Sequence, residues 1–335
     1  MYDTPESVLQ LGEMDPQIAT LSVNLPGVAG LGDLQKFRGM LDAFGKQRLA
    51  ALGPTPPGLK ESEITIPFSD GVTGTGLVCQ PAQEGENYPL IVLFFGGGFF
   101  MGNPAQLTGD MRTLSKDFSA VVIALPYRLA PENPFPTPMI DAWDALIHIS
   151  QNYQKFNASP EAGFIVGGIS AGSTHAAIIG QKYVAENLQP KITGLWTALP
   201  FLFPDDEGSL VPEKYKHLWL SRGQIIDCPG LNKPYLDKIL DFLQPDYKSP
   251  WMTPFSPETN NFDRQPRTFV QVCGMDPIRD DGIIYTKVLE DNGVEVKLDV
   301  YPGLGHGFWN AFPQIEASKK YHQDFIEGFS WLLAK

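Results

Sequence analysis

The sequence predicts an α/β protein built on a mostly parallel eight-stranded sheet with helices on both faces. Short runs rich in β-branched and aromatic residues alternate with helical stretches of a dozen residues or more, which is the rhythm of such a sheet. The middle runs, "LIVLFF", "AVVIALP" and "GFIVGG", are apolar without alternation, as expected of parallel strands covered on both faces. A chain of 335 residues is long enough for one large decorated domain or two ordinary ones.

In chain order, residues 1–59 fall outside the alternation and contain an amphipathic helical stretch, "LQKFRGMLDAFGKQRLAAL", before the proline-rich "GPTPPG". The runs 62–67 and 74–80 are more polar and close together, which suits an antiparallel edge. Strands are predicted at 89–95, 120–126, 163–168 and 192–200, with helices at 105–118, 137–155 and 171–187 between them. Residues 201–261, rich in proline and aromatics, again leave the pattern. A strand at 267–274, a helix at 279–292, a strand at 295–301 and a helix at 314–334 complete the chain. In the last helix Phe325, Phe329 and Leu332 share a face opposite Lys319, Lys320 and Glu327, so that stripe is expected to pack on the sheet. The predicted organisation is a core of 60–200 and 262–335, with 1–59 and 201–261 as lid segments over the carboxyl ends of the strands, where open α/β sheets place their sites.

Composition narrows the function. There is no run of 18 apolar residues, so no membrane span is expected. The amino end, "MYDTPESVLQLGEMD", has acidic residues where a signal peptide is basic and then apolar, which points to a cytoplasmic protein. Three scattered cysteines, Cys79, Cys228 and Cys273, suit reduced thiols rather than a disulfide frame or a zinc site, and the sequon at Asn157 is then silent. A net charge of −13 without any basic block argues against nucleic acid as a partner. No metal and no cofactor are expected. The oligomeric state stays open, a homodimer included.

Three consecutive glycines stand in "PLIVLFFGGGFFMGNP" directly after a predicted strand. A Walker loop would end in Gly-Lys-Ser/Thr, yet no lysine lies between Pro89 and Pro104. A dinucleotide fingerprint would open a helix, but Asn103-Pro104 interrupts first. What remains is a bare turn or an oxyanion hole, in which glycines let amide N–H groups converge on a developing negative charge. An oxyanion hole requires a nucleophile elsewhere.

The segment "GFIVGGISAGSTHAAIIG" supplies one. Gly168-Ile169-Ser170-Ala171-Gly172 is a G-x-S-x-G between a strand and a helix, the context in which a strained turn lifts a serine hydroxyl out of the sheet. The Ala171 N–H, in the first turn of that helix, is a free donor at the positive end of the dipole. Of five histidines, His148 and His322 lie on helices, His175 follows Ser170 too closely and His217 belongs to a lid segment. His306, in "YPGLGHGFWN", sits after the last strand in a glycine-flanked loop able to reach the carboxyl edge of the sheet. Asp276, in "VCGMDPIRDDG", ends the preceding strand and is the expected acid, whereas Asp280 and Asp281 read as the charged first turn of the next helix.

With these motifs in order, and with "YRLAPENPFP" at 127–136, the sequence resembles the hormone-sensitive-lipase-like branch of the α/β-hydrolase superfamily. The resemblance covers roughly 62–200 and 250–335. It implies an α/β-hydrolase fold and a carboxylesterase, in which Ser170 attacks an ester carbonyl and water activated by His306 releases the acid. The oxyanion donors it implies are the N–H groups of Gly97, Gly98 and Ala171. Two positions depart from the pattern: Phe95 stands where the family has the histidine of H-G-G-G, and Ile169 where it has the aspartate of G-D-S-A-G. Both make the site less polar. Phe95, Ile169, Phe99, Phe100 and Phe308 are accordingly expected around the substrate pocket, with ordinary core packing as the alternative for Phe99 and Phe100. A hydrophobic small-molecule ester is the expected partner. The alternatives are acyl transfer, cyclisation or elimination on a specialised metabolite, or a silent receptor such as the gibberellin receptors of the same branch, which differ at the triad histidine.

Overall fold

The structure, a computed structural model, describes residues 2–19, 32–83, 85, 87–226, 228, 230–259 and 261–334. Residues 1 and 20–31 of the first expected lid segment, and 227, 229 and 260 of the second, lie outside the described residues.

Eight strands form one sheet: β1 (Leu59–Pro67), β2 (Thr73–Pro81), β3 (Leu90–Phe94), β4 (Val121–Leu125), β5 (Phe164–Ile169), β6 (Gly194–Ala198), β7 (Arg267–Met275) and β8 (Val296–Gly305), in the order β1-β2-β4-β3-β5-β6-β7-β8. β1 pairs with β2 and β2 with β4 in antiparallel fashion. All other pairs are parallel. The polar hairpin is therefore the edge and the unbroken apolar runs are the middle; every residue of β3, β4 and β6 is buried.

Helices α1 (Leu34–Leu52), α2 (Thr108–Phe118), α3 (Thr137–Asn152), α4 (Ala171–Ala185), α5 (Lys233–Leu243), α6 (Arg279–Asp291) and α7 (Glu316–Leu333) account for the long helical stretches. In α7 the stripe of Phe325 and Phe329 meets the Trp196 ring of β6, with centroids 5.1 and 5.3 Å away. α4 is buried almost all round, because it is packed against β3, β5, β6 and α3.

Residues 8–15 cross the carboxyl ends of β7 and β8, where the Asp15 N–H donates to the Gly303 carbonyl at 3.1 Å. α1 and α5 lie over the glycine triplet: Phe37 packs on Tyr235 and Tyr235 on Phe100. Together with Phe99, Phe308, Phe312 and Leu304 these side chains form a second apolar cluster above the sheet edge.

Asp280 and Asp281 stand in the first turn of α6, as expected. Both are wholly buried. Asp280 accepts the N–H groups of Leu220 at 2.6 Å and Ser221 at 2.5 Å. Asp281 accepts those of Leu202 and Phe203 at 2.8 and 3.0 Å, and Arg222 at 3.1 Å. Two carboxylates at the head of α6 thus tie residues 201–222 to the core, since a buried charge persists only when paired and hydrogen-bonded. Burial pushes the Asp281 carboxyl up while Arg222 and the two N–H groups hold it down.

Candidate active site

β5 ends at Ile169 and α4 begins at Ala171, so Ser170 alone makes the turn, at φ 57° and ψ −122°. A non-glycine residue with positive φ is strained and persists only where its surroundings hold it. Here the Ser170 N–H donates to the Ala198 carbonyl at 2.7 Å, and the Ser170 carbonyl accepts the N–H of Ser173 at 2.9 Å and of Thr174 at 3.1 Å. The glycine at 172 is required by close approach, because a Cβ there would lie 2.1 Å from the Phe94 carbonyl oxygen.

The carboxyl ends of β7 and β8 supply the partners. His306 Nε2 lies 2.9 Å from Ser170 Oγ, and His306 Nδ1 lies 2.7 Å from Asp276 Oδ2. An ionised carboxylate can only accept, so the proton sits on Nδ1 and Nε2 is left to accept from the serine hydroxyl. Asp276 is buried, and its other oxygen accepts the Ile278 N–H at 3.0 Å. Two hydrogen bonds thereby fix a carboxylate that has no access to water.

The glycine loop packs against this turn, since a Cβ on Gly96 would lie 3.3 Å from Ser170 Cβ. Gly97, Gly98 and Phe99 all have positive φ, at 128°, 58° and 64°. The Gly97 carbonyl accepts the N–H groups of Phe100 and Met101 at 3.2 and 3.1 Å. Among the described residues the N–H groups of Gly97, Gly98 and Ala171 donate to no protein acceptor.

Phe95 departs from its expected place at the pocket. Its ring is buried in the main core, stacked on Tyr127 at 4.1 Å with 6° between planes. Tyr127 Oη donates to the Phe95 carbonyl at 2.8 Å. A tyrosine from "YRLAPENPFP", quoted above only for its resemblance, therefore braces the strand end that leads into the loop. Behind it, His175 lies edge-on to Tyr127 and Phe99 with centroids 4.4 and 5.3 Å away. Neither of its ring nitrogens has a hydrogen-bond partner among the described residues. Burial drives its pKa down to about 3, so it is a neutral member of an aromatic cage.

Of the other expected wall residues, Phe308 lines a narrow apolar cleft beside His306, together with Ile18, Met275 and Phe312. Phe100 is buried between Tyr235 and Phe242 of α5, and Phe99 faces His175. Ile169 is half-buried and touches both apolar clusters. Arg38 of α1, which no sequence pattern marked, donates from Nε to the Phe100 carbonyl at 2.6 Å and from Nη2 to the Ala130 carbonyl at 2.5 Å. Among the described residues no group of three His, Cys, Asp or Glu side chains converges as metal ligands would. No described helix is long and apolar enough to cross a membrane.

Known proteins carry the same arrangement of sequence and fold. A family profile described as alpha/beta hydrolase fold matches residues 91–310. An AB hydrolase superfamily protein of Schizosaccharomyces pombe is 32% identical over 325 residues, covering 96% of this chain and 94% of its own. Versiconal hemiacetal acetate esterase of Dothistroma septosporum is 26% identical over 260 residues, covering 75% and 76%. Among solved structures, vibralactone cyclase superposes with a TM-score of 0.84 at 26% identity, covering 97% of this chain and 96% of the other. The chain belongs to the α/β-hydrolase superfamily, in its hormone-sensitive-lipase-like esterase branch.

Proposed function

We propose that the protein is a serine carboxylesterase working through an acyl-enzyme on Ser170. His306 takes the Ser170 proton as Oγ attacks the ester carbonyl, and Asp276 holds the imidazolium that results. The carbonyl oxygen, now negative, receives the N–H groups of Gly97, Gly98 and Ala171. His306 then protonates the departing alcohol, and a water deprotonated by the same nitrogen releases the acid. The single observation that carries this reading is the unbroken chain of contacts from Ser170 Oγ to His306 Nε2 at 2.9 Å and from His306 Nδ1 to Asp276 at 2.7 Å.

The substrate class follows from the surroundings. The cleft beside His306 is walled by Ile18, Met275, Phe308 and Phe312, which favours a hydrophobic small-molecule ester. A relative named for an acetate ester supports the same class. The described residues of 1–58 and 201–261 act as the lid that excludes bulk water from it.

A fluorophosphonate probe with wild type and Ser170→Ala tests the reading. The wild type is expected to label and to hydrolyse p-nitrophenyl esters, and the variant to do neither, with kcat lower by at least about 10³-fold. A wild type that does not label overturns the hydrolase reading in favour of a silent receptor. Labelling that survives the substitution overturns the role of Ser170.

A second reading, cyclisation or acyl transfer at the same serine, is favoured by the likeness to vibralactone cyclase and by the apolar cleft, which offers little to hold a water. Product analysis in the same assays separates the two, since hydrolysis takes up solvent oxygen and cyclisation does not.

A further inference from the structure

The amino-terminal segment reaches the glycine loop through one side chain. α1 is pinned by Phe37, buried against Tyr235. The next residue, Arg38, turns its guanidinium to the protein and is 20% exposed. Its Nε donates to the carbonyl of Phe100 at 2.6 Å and its Nη2 to that of Ala130 at 2.5 Å, while Glu132 receives Nη1 at 2.7 Å and Nη2 at 3.0 Å. The two carbonyls belong to segments that are themselves joined, since the Ala130 N–H donates to the Phe99 carbonyl at 2.9 Å. A planar fork with five donors suits such a site, and a lysine ammonium, a single point charge, does not reproduce it.

The Phe100 peptide in turn sets the orientation of the loop. The Gly97 carbonyl accepts the N–H groups of Phe100 and Met101. The peptide joining Gly97 to Gly98 is planar and trans, so its N–H points opposite to its carbonyl. Fixing Phe100 and Met101 therefore fixes the Gly97 carbonyl, and that fixes the direction of the Gly98 N–H. Gly97 and Gly98 have no side chains to lock them. The turn is held from outside, and Arg38 is the charged group that holds it.

We propose that Arg38 is a positioning residue for the reaction: from the amino-terminal segment it clamps the Phe100 carbonyl and thereby aims the Gly98 N–H at the oxyanion, so that the oxyanion hole is complete only while α1 is docked. This rests on the serine-hydrolase reading, and the test separates the two. Phosphonate labelling and ester turnover by the wild type establish that reading first; the Arg38 variants are then compared with an active wild type.

The variants are Arg38→Ala, Arg38→Lys and, as a control for losing a half-buried arginine while Phe37 and Arg38 keep α1 docked, Arg112→Ala. Arg112 pairs with Glu61 of β1 at 2.7 and 2.9 Å and reaches the far end of α1 through the Leu52 and Gly53 carbonyls at 3.2 and 2.9 Å, away from the loop. For a short p-nitrophenyl ester, both Arg38 variants are expected to lose about tenfold or more in kcat with KM within about twofold, a fraction of the 10²–10³ that a whole donor contributes. An aliphatic trifluoromethyl ketone, bound as a tetrahedral oxyanion adduct, is expected to weaken by the factor lost in kcat/KM. Arg112→Ala is expected to keep kcat. Full kcat in Arg38→Lys overturns the proposal, as does a loss that falls on KM alone or that Arg112→Ala shares equally. Should Arg38→Ala not fold, Arg38→Lys gives the same decision.

Discussion

His175 shows how a single buried side chain couples stability to acidity. Its imidazole lies between Phe99 and Tyr127 without a hydrogen-bond partner among the described residues, and burial brings its pKa from the ordinary 6.5 to about 3. Between those values the unfolded chain takes up a proton that the native protein refuses, so stability rises with pH across this window and falls on acidification. The slope reaches about 1.4 kcal/mol per pH unit. Replacing His175 by leucine removes this group, and the loss of unfolding free energy between pH 6.5 and pH 5 is expected to shrink by about 1.6 kcal/mol. Urea titrations of wild type and variant at the two pH values measure it. Identical losses in both would show that the imidazole protonates in place. Ser170, Asp276 and His306 could be named from sequence because each follows a strand whose end the pattern marks. Arg38 could not, since its contacts lie 62 and 92 residues away and nothing about an arginine on an amphipathic helix foretells them. Phe95 is expected at the pocket because it stands where the family has a histidine, whereas the stack on Tyr127 turns it into the core.

At the scale of elements, the turn from β5 into α4 leaves no room for a side chain at 172. The Phe94 carbonyl occupies the space where any side chain at 172 would begin. Gly172→Ala must displace backbone rather than a flexible side chain, and is expected to cost about 3 kcal/mol, the upper end of ordinary overpacking. A urea midpoint near that of wild type would mean that the strand can yield. Strand order is a related case of partial legibility. The polar hairpin and the apolar middle were readable as edge and centre because burial on one or two faces leaves a period in the sequence. Of the two sections outside the alternation, 201–261 carried no such period, and 1–59 carried one only in the stretch that forms α1. Their packing depends on contacts such as those of Leu220 and Ser221 with Asp280, in which the sequence shows only acidic residues at a helix start.

Across the whole molecule, the section 201–222 is held to the core by apolar packing and by buried polar contacts, those of Asp281 among them. Asp281→Ala strands two buried N–H groups and the Arg222 guanidinium at once. Removing one partner of a buried pair typically costs about 3–5 kcal/mol. The variant is expected to lose that stability and to be cut by protease first within 201–222, while the sheet stays protected. Uniform resistance equal to wild type would show that the apolar packing of Leu202 and Phe203 holds this section unaided.

The docking of residues 8–15 on β7 and β8 has a consequence for how the protein is made. Val8 and Leu11 are buried among side chains that include Val272, and the Asp15 N–H is bonded to Gly303. Residues 8–15 therefore have no seat until β7 and β8 have been synthesised. Because the entropy of closing so long a loop grows only logarithmically with its length, the wait itself adds little to the cost of docking. The order of events is nevertheless set: β7 and β8 must be in place before residues 8–15 can close over them.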